Sequence, residues 1–423
     1  MTERNRELTN LIAVGVITGL GFASVYIARQ DLISAGSVSY GLIFIALYVA
    51  AHVVVRFTAP YADPYLLPLA GLLTAIGLTE IYRLGPTDAF RQGFWIVVGV
   101  AVFALTLVLL RDDFRVLESY KYLFGLASIG LLMLPALPVI GARINGARLW
   151  VKIGPLQFQP GELAKIALIV FLAGYLREKR EVLAQGRMKD FGPLLVIWGA
   201  AMLVLVVTND LGSALLFFGI FLGMLYVATG RALYVAIGLG LFVAGATAAY
   251  KAIPRVGDRV DCWLHPWDDV HGLCYQTVQG TYSIANGNYW GTGLGRGTFT
   301  TTSGAQLIPY TNTDFIYSAL AQELGLIGAA GILLVYMVFV LRGFRVSLFA
   351  GDGFSKLLAA GLTFGFALQT FIIIGGILRV IPLTGIPLPL VSYGGSSIVA
   401  NFLILAGLML VSNRANRDLE GAR

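Results

Sequence analysis

Apolar residues run along this chain in long stretches, and polar residues gather between them. Twelve stretches are long enough, or nearly so, to cross about 30 Å of hydrocarbon as helices. They cover about 9–28, 40–59, 64–82, 92–110, 121–140, 162–176, 191–208, 211–229, 232–253, 314–341, 354–378 and 398–413. The stretch 162–176 is short and 211–229 opens on a charge, so their ends are the least sharply drawn. The pattern predicts an all-α, polytopic membrane protein of about 12 transmembrane helices with both termini on one side. The first stretch, Leu11 to Ala28, lacks a small-residue cleavage site followed by a soluble domain, so it is expected to stay as a span rather than be removed as a leader.

Composition strengthens this reading. The 423 residues are 57% hydrophobic and 13% charged, with a mean hydropathy of +0.79. A soluble domain lies nearer half apolar and a quarter charged. The net charge of +7 does not imply nucleic acid, because the inner loops of membrane proteins collect Lys and Arg. With both termini inside, inner segments hold 18 of the 30 Lys and Arg, and the longer outer segments hold 11. The run "REKREVLAQGRMK" (177–189) is the strongest inside signal. Cytoplasmic termini are therefore expected.

Three segments then face outward and are too rich to be connectors: 141–161, 254–313 and 379–397. The second, about 60 residues, is far longer than an ordinary connection. Its Trp and Tyr content argues against disorder. Any chemistry belongs on this outer face.

Charge within or beside apolar stretches identifies the candidate residues. Asp314 stands at the mouth of the stretch 314–341. It could cap the helix, with Thr313 or its own carboxylate meeting free N–H groups. It could equally be a partly desolvated general base, tuned by burial and hydrogen bonds. Glu323 would point to the opposite helix face about 13 Å further along. Paired sugar-cleaving carboxylates lie about 5 to 9.5 Å apart. Glu323 is therefore expected to have a structural partner on another helix. Glu162 and Lys165 share a helix face, either snorkelling at the interface or paired in the interior. Asp210 in "TNDLG" could serve as turn and cap chemistry or meet Lys165. Arg143, Arg148 and Lys152 place positive charge outside, for lipid phosphates or for a phosphorylated substrate. "VSYGGSS" offers Ser392, Ser396 and the N–H groups of Gly394 and Gly395, or is simply a turn.

"DCWLHPWDDVHGLC" holds Cys262 and Cys274 with two of the three histidines. An outward loop sees oxidising conditions, so a disulfide is the expected state. Free thiols and a zinc site with His265 and His271 are the alternatives.

Four blocks, "GARLWVKIGPLQFQPGELAK", "NDLGSALL", "NTDFIYSALAQELGLIG" and "PLPLVSYGGSS", resemble the signature blocks of the SEDS family (shape, elongation, division and sporulation), in matching order over about residues 64–413. Gly161 replaces a serine frequent in the family, and Thr208-Asn209 precedes Asp210 where many members read Gln-Pro. Neither change removes a charged group. The long outer loop, "GTGLGRG" and the last block point to the elongation branch rather than the division branch.

The resemblance implies a peptidoglycan glycosyltransferase of the bacterial cytoplasmic membrane, working at its outer face. Its substrate would be lipid II, and its partner a class B penicillin-binding protein transpeptidase. Asp314 matches the family's essential aspartate. Arg148, Lys152, Gln159, Glu162, Lys165, Asp210, Ser392, Gly394, Gly395 and Ser396 would contact substrate. No protein metal site is implied, although a divalent cation (Mg or Mn) could share the leaving pyrophosphate. The family core has ten spans, so residues 1–63 would supply two additional helices, 64–413 the core with its outer loop 254–313, and 414–423 a cytoplasmic tail. The rival readings are a lipid-linked precursor flippase, a division paralogue, or a silent scaffold for wall enzymes.

Overall fold

The computed structural model describes residues 2–28, 35–138, 140–144, 147–154, 156–185, 192–299 and 307–421. Four helices come first: α1 (Glu3–Ala28), α2 (Ala35–Thr58), α3 (Leu66–Leu84) and α4 (Pro86–Leu110). A short α5 (Val116–Ser119) leads into α6 (Lys121–Met133), and α7 (Pro160–Ala184), α8 (Gly192–Val207), α9 (Leu211–Thr229) and α10 (Ala232–Ala252) follow. The segment 254–313 contains α11 (Pro254–Leu264) and α12 (Tyr275–Gly287), and α13 (Ile316–Phe349), α14 (Gly353–Ile377) and α15 (Gly395–Gly421) follow. Among the described residues, nine helices are long and apolar enough to cross a membrane, and two shorter apolar helices cover 121–136 and 192–207. The stretch that read as short, 162–176, is the middle of the 25-residue α7.

Local chemistry sets several boundaries. Pro86 and Pro160 occupy the first turns of α4 and α7, where a missing N–H does no harm. Asp352 caps α14 by accepting from the Ser355 N–H at 3.0 Å. Gly230 ends α9 in the left-handed region at φ 67°. α14 lies at the centre of the bundle, packed on α7, α9, α13 and α15. α10 lies at its margin, with only Gly238 buried.

Two features depart from the sequence pattern. A three-stranded antiparallel sheet, β1 (Gly141–Ile144), β2 (Ala147–Ile153) and β3 (Leu156–Phe158), forms within the segment 141–161. The stretch 314–341 begins its helix at Ile316, and that helix breaks at Gly325, with φ 68° and ψ −173°. The break admits the loop after α12: Leu326 N–H donates to Asn288 O at 2.9 Å. A Cβ at Gly325 would meet the Gly291 backbone nitrogen at 2.2 Å, so only glycine fits.

Candidate active site

The segments 254–313 and 379–394 converge on Asp314. From one side, the segment 379–394 holds the turn that carries it. Ser392 Oγ donates to Thr313 O at 2.5 Å and accepts the Leu388 N–H at 2.9 Å, while Tyr393 N–H donates to Asn312 O at 2.9 Å. From the other side, α11 docks on the same segment. Arg259 donates to Thr384 O at 3.1 Å, Trp263 Nε1 to Arg379 O at 2.9 Å, and Arg379 to Trp263 O at 3.0 Å. Gly385, at φ 72°, lies between the two sides. A Cβ there would lie 3.4 Å from Asp314 Oδ2 and 3.5 Å from a guanidinium nitrogen of Arg259.

Asp314 is not a helix cap. The N-cap residue of α13 is Phe315, and no side chain caps that helix. The carboxyl is half-buried. Burial pushes its pKa up to about 6, against the Thr313 hydroxyl and the Arg259 guanidinium, which pull it down. A carboxylate so tuned can take and release a proton near neutral pH.

Glu162 and Lys165 form an interior pair rather than a snorkelling one. Lys165 Nζ donates to Glu162 at 2.7 Å and also to Gln369 Oε1, and Lys165 is only 2% exposed. Gln369 in turn donates to Pro387 O at 2.9 Å, tying α7 through α14 to the segment that frames Asp314. Asp210 does not bond Lys165. It caps α9, accepting from the Ser213 N–H at 3.0 Å. Burial raises its pKa most, the Ser213 hydrogen bonds lower it, the Glu162 charge raises it and Arg259 lowers it. Arg259 thus faces both Asp314 and Asp210, and burial beside Arg255 pulls its own pKa down. Arg259, Gln369 and Gly385 were not among the residues expected from sequence. Arg259 had no pattern to mark it, but Gln369 did: an amide inside an apolar stretch.

The remaining candidates divide into two groups. Arg148 and Lys152 project from β2 with exposed side chains, and Arg148, Gln159, Thr208 and Asp210 line one small cleft. Arg143 pairs with Arg148 across the β1–β2 register, but its side chain lies outside the described residues. Of the alternatives for "VSYGGSS", several groups serve the turn. Ser396 Oγ accepts the Gln159 N–H at 2.6 Å, Gly394 N–H goes to Gln92 Oε1 at 3.1 Å, and a Cβ at Gly395 would strike Trp95 at 2.3 Å. With Ser392 already committed to Thr313, this segment frames the site.

Glu323 is structural. It accepts from Arg83 Nε at 3.1 Å and from the N–H groups of Gly295 and Gly297 at 2.7 and 3.0 Å, pinning the loop after α12 to α3 and α13. Cys262 of α11 and Cys274 before α12 are joined by a disulfide, with Cα atoms 5.1 Å apart. Cys262 lies one turn after Arg259, so this bond ties the Arg259 helix to α12. α12 in turn packs on α13, where Ser283 donates to Gln322 at 2.8 Å. Among the described residues, no three His, Cys, Asp or Glu side chains gather as a protein-held metal site would require.

A charged centre bounded by the loops that join the helices, and seated on packed apolar helices, defines a multi-pass membrane protein with a polar site at one end of its bundle. The family model for FtsW, RodA and SpoVE, described as "Cell cycle protein", matches residues 65–417, and the chain belongs to that family. It is 40% identical to the peptidoglycan glycosyltransferase RodA of Mycobacterium tuberculosis, covering 99% of this chain and 92% of that one. To the probable peptidoglycan glycosyltransferase FtsW of Geobacter metallireducens it is 32% identical, covering 83% and 95%. Its fold is similar to a chain of a peptidoglycan synthase complex that coordinates polymerization and crosslinking, at TM-score 0.70 and 29% identity over 84% of this chain and 98% of that one.

Proposed function

We propose that this chain is a peptidoglycan glycosyltransferase of the bacterial cytoplasmic membrane, polymerising lipid II into glycan strands at the outer face for cell elongation. The observation that carries the reading is Asp314, a half-buried carboxyl with its pKa pushed up to about 6, framed by Arg259 and Gly385. Higher identity to RodA than to FtsW supports the elongation role. Catalytic polymerisation is favoured over transport by the names of the relatives, which are peptidoglycan glycosyltransferases.

In this reading a hydroxyl oxygen of one lipid II sugar attacks the anomeric carbon of the growing chain. The bond from that carbon to the pyrophosphate oxygen breaks, and the hydroxyl proton passes to Asp314. The electron pair leaves with the lipid pyrophosphate, whose charge Arg148 and Lys152 stabilise from β2. Lys165, buried and bonded to Glu162 and Gln369, is a positioning residue that holds α7 and α14 in register with the 379–394 segment. The undecaprenyl chains lie in grooves between spans, and a class B penicillin-binding protein cross-links the product. Both termini are cytoplasmic, following the Lys and Arg bias. Incubation of purified protein with labelled lipid II tests this: long glycan is the expected product, and its absence from folded protein given its transpeptidase partner contradicts the reading.

A further inference from the structure

A second cavity opens at the face opposite Asp314, where α1 begins and α13 and α15 end. It encloses about 360 Å³, a volume typical of small-ligand sites. Two arginines one turn apart on α13 form its wall. Arg342 donates to Asp63 and stacks over the Tyr65 ring at 4.6 Å, yet its Nε is buried without a hydrogen-bond partner. Arg345 is exposed and makes no ion pair among the described residues; its guanidinium lies 5.5 Å from the Phe349 ring. The acids nearby are engaged or peripheral: Asp63 holds Arg342, Glu3 faces Arg6 at 3.8 Å, and Glu420 is exposed near the end of α15. Asn416 donates to Tyr61 O at 2.7 Å, and Ser412 accepts the Asp63 N–H at 2.9 Å, so these polar groups build the wall and do not compete for a ligand.

The rim has the opposite character. Phe349 is 50% exposed and Leu419 46% exposed, near the ends of α13 and α15. A guanidinium with no ion pair, on the wall of a cavity whose nearby acids are engaged or peripheral, calls for an anion. The guanidinium fork matches phosphate, and exposed apolar side chains at the same mouth suit an attached glyceride.

We propose that this cavity binds a phosphate-bearing anion, presented by the headgroup of an anionic phospholipid of the adjacent leaflet, with Arg345 as its main contact. Occupancy would bridge α1, α13 and α15 at the end of the bundle remote from Asp314. The same chemistry could come from free phosphate, and the test separates the two sources.

The full-length protein, purified in detergent, is titrated with phosphatidylglycerol and bound lipid is counted by native mass spectrometry. Arg345→Gln lies on the surface and leaves the Asp63 pair intact, so its fold can be verified by an unchanged thermal transition. The expected result is a retained phosphatidylglycerol adduct that Arg345→Gln weakens by about 10-fold, the loss of one charge-assisted contact. Arg417→Gln, an exposed arginine that does not line the cavity, should change nothing. Equal binding by Arg345→Gln, an equal loss with Arg417→Gln, or displacement of the lipid by millimolar inorganic phosphate would each overturn the proposal.

Discussion

Arg259→Gln is the change most informative about how the site is tuned. Asp314 Oδ2 and an Arg259 guanidinium nitrogen lie 3.4 and 3.5 Å from one point above Gly385, so the two atoms are within about 7 Å. At an effective dielectric of about 20, unit charges that far apart interact by about 2.4 kcal/mol, about 50-fold in the ionisation equilibrium. Both side chains are partly open to water, which brings the effect to about tenfold. The sign is fixed: Arg259 favours the ionised carboxyl, so removing it raises the Asp314 pKa. A general base works when ionised, so wild-type kcat/KM should rise with pH through about 6. In the variant that limb should move to about pH 7, with activity down about tenfold near pH 5 and nearly restored above about pH 8. Initial rates on labelled lipid II across this range give the limb directly. A limb that stays in place or moves down refutes the electrostatic argument. A loss of the same size at every pH would reduce Arg259 to an anchor for Thr384.

Two further predictions concern the supports. Lys165→Ala strands the buried Glu162 and should lower stability by about 3 to 5 kcal/mol, whereas Lys165→Ala with Glu162→Ala should be milder; strict additivity in a thermal double-mutant cycle in detergent would show the two do not interact. Reduction of Cys262–Cys274 should remove about 2 to 3 kcal/mol of loop order, loosening α11 and slowing polymerisation while helix content by circular dichroism stays constant. An unchanged rate after verified reduction would separate the loop from the site.

The helices were legible because crossing a membrane demands long apolar stretches, and that demand is written locally. Asp314, Glu162, Lys165 and Glu323 were legible because charge in or beside such stretches needs a reason. What escaped was set by contacts between distant segments. Asp314 read as a possible cap because it precedes an apolar stretch, yet the chain takes two more residues before turning helical. Arg259 reaches Asp314 only because α11 folds back on the segment 379–394, a pairing no local pattern encodes. Asp210 missed Lys165 because its carboxylate caps α9 at the Ser213 N–H, while Lys165 meets Glu162 and Gln369, a residue about 200 positions further along. "VSYGGSS" stayed open between donors and a turn because a sequence does not reveal that the Ser392 hydroxyl and the Gly394 N–H are spent on Thr313 and Gln92. The strand β2 was missed for a different reason: its seven residues are too few for alternation to stand out beside a span.

The account rests on Asp314 as the base. The direct measurement is polymerisation of labelled lipid II by purified Asp314→Asn beside wild type, with the thermal transition of each recorded in the same detergent. Asparagine keeps the shape and cannot accept the proton. A rate about 10²- to 10⁴-fold lower with an unchanged transition is the predicted result. A variant that polymerises at the wild-type rate would contradict it.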